Sequence, residues 1–352
     1  MKAIFIAELD PPSASSRQRL WALQQCGVEV YTINKSHYRS NLGKVASHLA
    51  WLTKQPLLYY NHRLLQKAIL ELARQVNPGI IWFEWPRELN VSLLKKLKNL
   101  GSKPILISFQ DDNPWGDRKL DKWMWKEYFK LIPYFDMHLI KRKGDAEFLK
   151  RHGAKDCKIW RHGIYSPLFH PSIGSHEKKY PVSFVGTCFD KRKELIGYLL
   201  EKNIPIHVFG NRWKQRSNLT NKYPEYFHPA VEGEAYADVL RHSQISLGLV
   251  SQSNKDEWTM RSYEVPGCGG LIVAEKTNFH EQIFSDGVDA LLFSSPEDCS
   301  NKLLKMLQDP VGCQSMGKAA YEKFLSEDWT LEAEMRKFLN SLDSLTGKSE
   351  LN

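Results

Sequence analysis

Short runs of β-branched and aromatic residues alternate with helical stretches from one end of this chain to the other, and that alternation limits what it can fold into. Candidate strands are Ala3–Ala7, Val28–Ile33, Ile80–Glu84, Ile105–Phe109 and Met137–Ile140, then a second set at Lys158–Trp160, Val182–Val185, Ile206–Phe209, Ile245–Val250, Leu271–Ala274 and Ala290–Phe293. Helical patterns such as Arg63–Gln75, Leu89–Leu100, Gly144–His152 and Lys193–Glu201 separate them. Strands that alternate with helices build βαβ units and parallel sheets. The nearly continuous apolar character of the strands fits sheets covered on both faces. Eleven strands are too many for one compact sheet, so two doubly wound α/β domains are expected.

The stretch 163–179 is rich in Pro, Gly and Ser, lacks periodicity and reads as a linker. The expected division is 1–165 and 166–328, with a closing helix at 329–344 packing back on the first domain. The tail after Ser344 is expected to be disordered. The N-terminal apolar run is followed by acids where a cleavage region would lie, so it reads as a first strand and not a leader. No apolar run approaches the roughly 20 residues that cross a bilayer. Six cysteines without CxxC spacing read as reduced thiols, and the expected location is the cytoplasm, with the inner membrane face open as a peripheral site.

Charge is uneven. Residues 1–170 hold 28 Lys and Arg against 15 Asp and Glu, a net of +13; residues 171–352 hold 21 against 25, a net of −4. A basic first half suits an anionic partner such as a membrane surface, a lipid phosphate or an acidic glycan; solvated helix faces explain it equally well. The basic residues are scattered and form no recognisable nucleic-acid module, so nucleic acid is not expected. The aromatic and basic segment Trp51–His62 is a candidate for weak membrane-surface contact, and a packed helix pair is the plainer explanation.

The densest chemistry lies between Asp256 and Phe293. A short polar helix is expected to carry Glu257, Arg261 and Glu264 on one face and to end at Pro266-Gly267. A buried strand follows, and a second helix is expected to open at Thr277-Asn278, whose backbone amides would face a phosphate; a plain N-cap is the alternative. A carboxylate at Glu264 can accept hydrogen bonds from the two vicinal hydroxyls of a ribose, whereas an ordinary surface Arg–Glu pair would only support the helix. Arg192, directly after a strand and Gly186, and Arg261 are candidates for a pyrophosphate, because fixed guanidinium groups offset the charge of a diphosphate leaving group. Asp111 and Asp112 follow the strand Ile105–Phe109, at the carboxyl end where ligands bind. Either can orient or deprotonate an acceptor hydroxyl, or simply make the turn before Pro114. Asp10, Glu84 and Arg17 are weaker candidates on the same side. Asp-Asp-Asn is not a metal-binding Asp-x-Asp, and no His/Asp cluster has ligand spacing, so no metal and no cofactor is expected.

Several motifs, taken in order, carry a family signature. His162-Gly163-Ile-Tyr-Ser-Pro-Leu-Phe169-His-Pro171 resembles the hinge of group 1 glycosyltransferases. Phe184-Val-Gly186-Thr with Lys191-Arg192-Lys193 resembles their phosphate-binding start of domain two, and His207-Val-Phe-Gly210 resembles their glycine-ended strand. Asp286-Gly-Val-Asp-Ala-Leu-Leu-Phe followed by Pro296-Glu-Asp resembles their closing motif. Arg261-x-x-Glu264-x-x-x-Cys268-Gly269 is most similar to the spore-maturation (CgeB-like) branch.

The resemblance implies a GT-B architecture of two Rossmann-like domains facing a central cleft. It implies transfer of a sugar from a nucleotide-diphosphate sugar to a hydroxyl of a glycan, lipid-linked or small-molecule acceptor in polysaccharide biosynthesis, retaining and without a metal. Donor binding would fall to Arg192, Arg261, Glu264, Gly186, Gly210, Thr277 and Asn278, with Glu232 and Tyr236 near the base. Catalysis would fall to Asp111, Asp112 and Asp256. The chain departs from the family pattern at Asp256, which stands where the first Glu of Glu-x7-Glu is usual, at the first loop 11–17, and at Arg212, which replaces a glycine. A non-catalytic nucleotide-sugar binder, or an epimerase or hydrolase on the same scaffold, stays open.

Overall fold

The computed structural model describes residues 1–10, 14–40, 43–55, 60–116, 122–172 and 177–346. Its contacts divide the chain into two units, Met1–Arg161 with Phe338–Asn352, and His162–Lys337.

The first unit is a six-stranded parallel sheet of β1 (Lys2–Ala7), β2 (Glu29–Asn34), β3 (Ile80–Glu84), β4 (Ile105–Gln110), β5 (Met137–Ile140) and β6 (Cys157–Ile159), in the order β2-β1-β3-β4-β5-β6. Its helices are α1 (Ser15–Gln25), α2 (Gly43–Thr53), α3 (His62–Val76), α4 (Val91–Lys98), α5 (Lys126–Leu131) and α6 (Lys143–Arg151). Every residue of β3 is buried, as a central strand covered on both faces requires. In α3 the side chain of Asn61 accepts from the Leu64 amide at 3.3 Å and caps the first turn. Leu65, Ile69, Ala73 and Val76 recur at helical spacing and are buried, and Asn77 ends the helix in the left-handed region at φ 48°. Trp82 fills the other face, with its ring 5.5 Å from Phe338 and 5.9 Å from both Phe5 and Trp160.

The second unit repeats the plan with β7 (Tyr180–Val185), β8 (Ile206–Phe209), β9 (Phe227–His228), β10 (Ser243–Gly248), β11 (Leu271–Glu275) and β12 (Leu291–Phe293). All pair in parallel, in the order β12-β11-β10-β7-β8-β9. Its helices are α7 (Arg192–Glu201), α8 (Trp213–Arg216), α9 (Leu219–Lys222), α10 (Gly233–Arg241), α11 (Arg261–Gly267), α12 (His280–Ile283), α13 (Pro296–Leu307) and α14 (Pro310–Ser326); α15 (Leu331–Thr346) closes the chain. Strand order reverses at β1/β3 in the first unit and at β7/β10 in the second. In an open α/β sheet the crevice at such a reversal binds ligands.

Several expectations are corrected. Lys158–Trp160, grouped with the second set of strands, contributes β6 to the first sheet, and β9 is a short edge strand that no apolar run announced. The segment read as a linker is packed into the second unit: Ile164 bridges Thr330, and Ile164 and Phe169 are buried in its core, while residues 173–176 lie outside the described ones. α11 begins only at Arg261, so Glu257 does not share its face, and Pro266 sits inside the helix instead of ending it. The helix expected at Thr277 begins at His280. α15 runs two residues past Ser344, and the tail beyond Thr346 lies outside the described residues. Among the described residues no helix is long and apolar enough to cross a membrane. Part of the segment 51–62 also falls outside them.

Candidate functional site

At the reversal of the second sheet, the ends of β7 and β8 approach so closely that only glycine fits. The Gly186 amide donates to the Phe209 carbonyl at 2.8 Å, and a Cβ on Gly210 would stand 2.1 Å from the Gly186 carbonyl oxygen. The Trp213 indole donates to that same oxygen at 2.9 Å. Arg212 adopts φ 65°, a left-handed backbone that glycine takes more readily.

Two guanidinium groups meet over this reversal. Arg192, the first residue of α7, donates from Nη1 to the Thr187 carbonyl at 3.2 Å and from Nη2 to the Leu249 carbonyl at 3.3 Å. Arg261, the first residue of α11, donates from Nη1 to the Val185 carbonyl at 2.9 Å and from Nη2 to the same Leu249 carbonyl at 3.2 Å. Each lies 5.5 Å from the centre of the Phe184 ring. Neither makes an ion pair among the described residues, and the Nε of each is buried without a hydrogen-bond partner. Burial, reinforced by the charge of Arg261, pulls Arg192 down to about 10 despite the nearby acids Asp190, Glu275 and Asp256. Two like charges held together with unused donors form a site for an anion.

Glu264 lies on the same helix as Arg261 but is not paired with it. It is 6% exposed and accepts from the Tyr236 hydroxyl at 2.6 Å. Burial raises its carboxyl to about 7, against the downward pull of the Tyr236 hydrogen bond and of Arg261.

Two carboxylates that the sequence did not single out brace the loop between β10 and α11. Asp190, in the left-handed region at φ 51°, accepts from Ser251 Oγ at 3.1 Å and from the Ser253 amide at 3.2 Å. Glu275 accepts from the Val250 amide at 2.6 Å. Together they fix the backbone that presents the Leu249 carbonyl to both arginines. Glu275 ends an apolar strand, the same signal that drew attention to Glu84; Asp190 carried none. Asp256 is half-buried, its amide donating to the Ser251 carbonyl at 2.9 Å.

Thr277 Oγ1 donates to the Glu257 carbonyl at 2.6 Å and accepts from the His280 amide at 3.0 Å, which is N-cap chemistry for the four-residue α12. Asn278 is exposed. A cavity of about 660 Å³ has Arg192 but not Arg261 in its lining, with Asp190, Gln252, Glu275, Lys276 and Ser295. The glycines 267, 269 and 270 serve packing, since a Cβ on Gly267 would lie 2.9 Å from Ile164.

In the first unit, the reversal at β1/β3 holds a cavity of about 520 Å³. Glu84 lines it, but its carboxylate is committed: Arg19 Nε and Nη2 donate to it at 2.8 and 2.7 Å, and the Trp82 indole at 2.9 Å. Lys35 lies 2.7 Å from Glu88 and donates to the Glu84 and Trp85 carbonyls at 2.7 and 3.1 Å. Burial pushes the Glu8 carboxyl up, but the Tyr60 hydroxyl and the Arg39 and Lys35 cations more than offset this and hold it below its usual value. Asp112 lines the cavity. Asp111 does not; Arg142 donates to its backbone carbonyl at 2.9 Å, while its Oδ1 is buried without a hydrogen-bond partner. The turn before Pro114 is made by Asn113, whose side chain accepts from the Trp115 amide at 2.9 Å.

Asp10 and Arg17 do not join the cavity. Asp10 is exposed and hydrogen-bonded to Asn34, and Arg17 donates to the Leu9 carbonyl at 2.9 Å. Arg19 takes the place expected of Arg17, because α1 turns position 19, not 17, to the buried side. Among the described residues no three His, Cys, Asp or Glu side chains gather as metal ligands, and the six cysteines are free, four of them buried.

Residues 191–340 match the family model described as glycosyl transferase-like. The sulfoquinovosyl transferase SQD2 of Arabidopsis thaliana is 24% identical over 76% of this chain and 57% of its own length, so the chain spans little more than half of that relative. Among solved structures, the sucrose-phosphate synthase of Thermosynechococcus elongatus superposes at a TM-score of 0.69, with 15% identity over 99% of this chain and all of its own. Anabaena HepE, solved in complex with UDP and glucose, superposes at 0.64 with 11% identity over 98% of this chain and all of its own. The solved structures show the fold as two Rossmann-like parallel-sheet domains of the GT-B type, and residues 191–340 are similar to glycosyl transferases.

Proposed function

We propose that this chain transfers a sugar from a nucleoside diphosphate sugar to a hydroxyl acceptor, with the donor held by the unit His162–Lys337. The observation that carries the reading is the pair Arg192 and Arg261: two neighbouring guanidinium groups with no ion-paired carboxylate among the described residues and a buried, unused Nε on each. A diphosphate would supply the missing acceptors. Glu264, with Tyr236 behind it, would take the ribose hydroxyls, and the CgeB-like spacing of Arg261, Glu264 and Cys268 favours that branch. Uridine is the base to try first, since the Anabaena neighbour was solved with UDP and with UDP-glucose.

In the transfer, the bond from the anomeric carbon to the diphosphate oxygen breaks and a bond to the acceptor oxygen forms. Negative charge grows on the leaving diphosphate, and the two arginines offset it in place of a metal. With retention, the acceptor proton passes to the departing phosphate oxygen on the same face. Asp112, which lines the cavity of the first unit, would orient the acceptor, and Asp256 would act through the field it exerts on Arg192. Removing one guanidinium should cost about 1.5–3 kcal/mol, or roughly 10- to 150-fold in affinity.

Incubation with UDP-glucose and other UDP-sugars, with and without an acceptor mixture, tests the reading. Acceptor-dependent UDP release supports transfer. Release without acceptor would point to a hydrolase, and binding without any turnover to a sugar-nucleotide sensor.

A further inference from the structure

Among the described residues lining the cavity of the first unit, one cation is not used by its acids. Arg19 is paired with Glu84, Lys35 with Glu88, and Arg39 with Glu8 at 3.2 Å. Arg87 makes no ion pair among the described residues. Its guanidinium lies 4.5 Å from the centre of the Trp85 ring and 4.6 Å from that of Trp125, with Nη1 3.6 Å from Met124 Sδ. Two aromatic rings hold the group without neutralising it.

The turn that presents Arg87 is strained. Trp85 has φ 49°, a conformation a bulky side chain rarely adopts. It is held there by its amide on the Phe109 carbonyl at 3.0 Å, and by the Arg87 amide and Lys35 ammonium on its own carbonyl at 2.8 and 3.1 Å. Strain of this kind persists where the surroundings over-determine it and gathers at ligand sites. The turn follows β3, at the strand-order reversal.

We propose that this cavity binds an anionic, hydroxylated small molecule of the sugar phosphate or sugar carboxylate class, with Arg87 as its counter-ion. The volume of about 520 Å³ suits a molecule of that size. Tyr60, Trp85 and Met124 offer apolar walls to the C–H face of a sugar ring, and Asp112 and Glu8 offer acceptors to its hydroxyls. A planar guanidinium held against two rings can engage phosphate or carboxylate through two parallel hydrogen bonds. That the bound molecule is the acceptor rests on the transferase reading; the binding does not.

The test is calorimetric titration of the full chain with glucose 6-phosphate, glucuronate and glucose. Each titration is repeated in an Arg192→Met/Arg261→Met background, so that the anion site of the other unit cannot contribute. At least one anionic sugar should bind tenfold or more tighter than glucose in both backgrounds, and the phosphate and carboxylate arms decide between the two anions. Arg87→Met should abolish that preference, and Arg87→Lys should weaken it severalfold while keeping the charge. UDP titration of Arg87→Met should be unchanged, which checks that the variant is folded and keeps the donor reading separate. Equal binding of glucose, no binding of either anionic sugar, or a preference that survives in Arg87→Met overturns the proposal.

Discussion

Glu264 should make the affinity for a nucleoside diphosphate depend on pH in a way the structure lets one calculate. Burial holds its carboxyl at about 7 in the free protein, against an ordinary value of 4.5. Ribose hydroxyls donating to the carboxylate favour its ionised form, so binding should expel a proton. If the complex returns the group to its ordinary value, the limiting gain is about 2.5 pKa units, or about 300-fold in affinity. Between pH 6 and pH 8 the same shift gives about a tenfold gain. The assay is calorimetric titration with UDP across that range, in two buffers of different ionisation heat, for wild type and Glu264→Gln. The nucleotide's own phosphate titrates identically against both proteins, so the ratio of their affinities isolates Glu264. That ratio should rise about tenfold from pH 6 to pH 8, with nearly one proton released per UDP at the acid end. A flat ratio, or one that rises toward low pH, would refute the assignment of Glu264 to the ribose.

Other outcomes follow from the same geometry. Without ligand, the folded chain keeps a proton on Glu264 that the unfolded chain has lost between about pH 4.5 and 7; this stability is full below 4.5 and falls as pH rises to 7, by at most about 3 kcal/mol. Glu264→Gln should therefore be the more stable protein at pH 8 by urea unfolding, with the gap closing toward pH 5; a constant gap would contradict this. Tyr236→Phe removes the hydroxyl that lowers the Glu264 carboxyl, so the midpoint of UDP binding should move to higher pH, and an unmoved midpoint would count against it. Gly210→Ala drives a Cβ into the Gly186 carbonyl and should cost about 3 kcal/mol or more in thermal unfolding; a loss below about 0.5 kcal/mol would show that the close approach is relieved easily. Glu84→Ala leaves Arg19 buried and unpaired and should destabilise by about 3–5 kcal/mol, while UDP binding measured below the melting transition stays intact.

Much of the fold was legible because parallel sheets write themselves into sequence as short apolar runs. Ile80–Glu84, Met137–Ile140 and Ile206–Phe209 match their strands to the residue, and the other candidate strands match to within one or two. What escaped were elements held by tertiary pairing alone. The two-residue β9 has no apolar run of its own, and Ile164 and Phe169 hide in a Pro- and Gly-rich stretch that local composition calls a linker.

At the site, Arg192 was picked out because it follows a strand and Gly186, and Arg261 and Glu264 because they share a short helix at motif spacing. Their arrangement was not. Helical spacing grouped Glu257 with Arg261, yet the chain around Asp256 and Glu257 is not helical, and Tyr236, 28 residues before Glu264, supplies its hydrogen bond. Among the first unit's candidates, Glu84 turned out to be neutralised by Arg19, while Arg87 gave no signal because its aromatic partners Trp85 and Trp125 meet only in the folded chain.

The most direct measurement is UDP titration of wild type, Arg192→Met, Arg261→Met and the double variant at pH 8, each shown to be folded by its melting transition. If the paired guanidinium groups are the diphosphate site, each single variant should lose roughly 10- to 150-fold in affinity and the double variant should show no measurable binding. Affinity unchanged in the double variant, or no binding of any nucleoside diphosphate to folded wild type, would contradict the donor site and the transferase built on it.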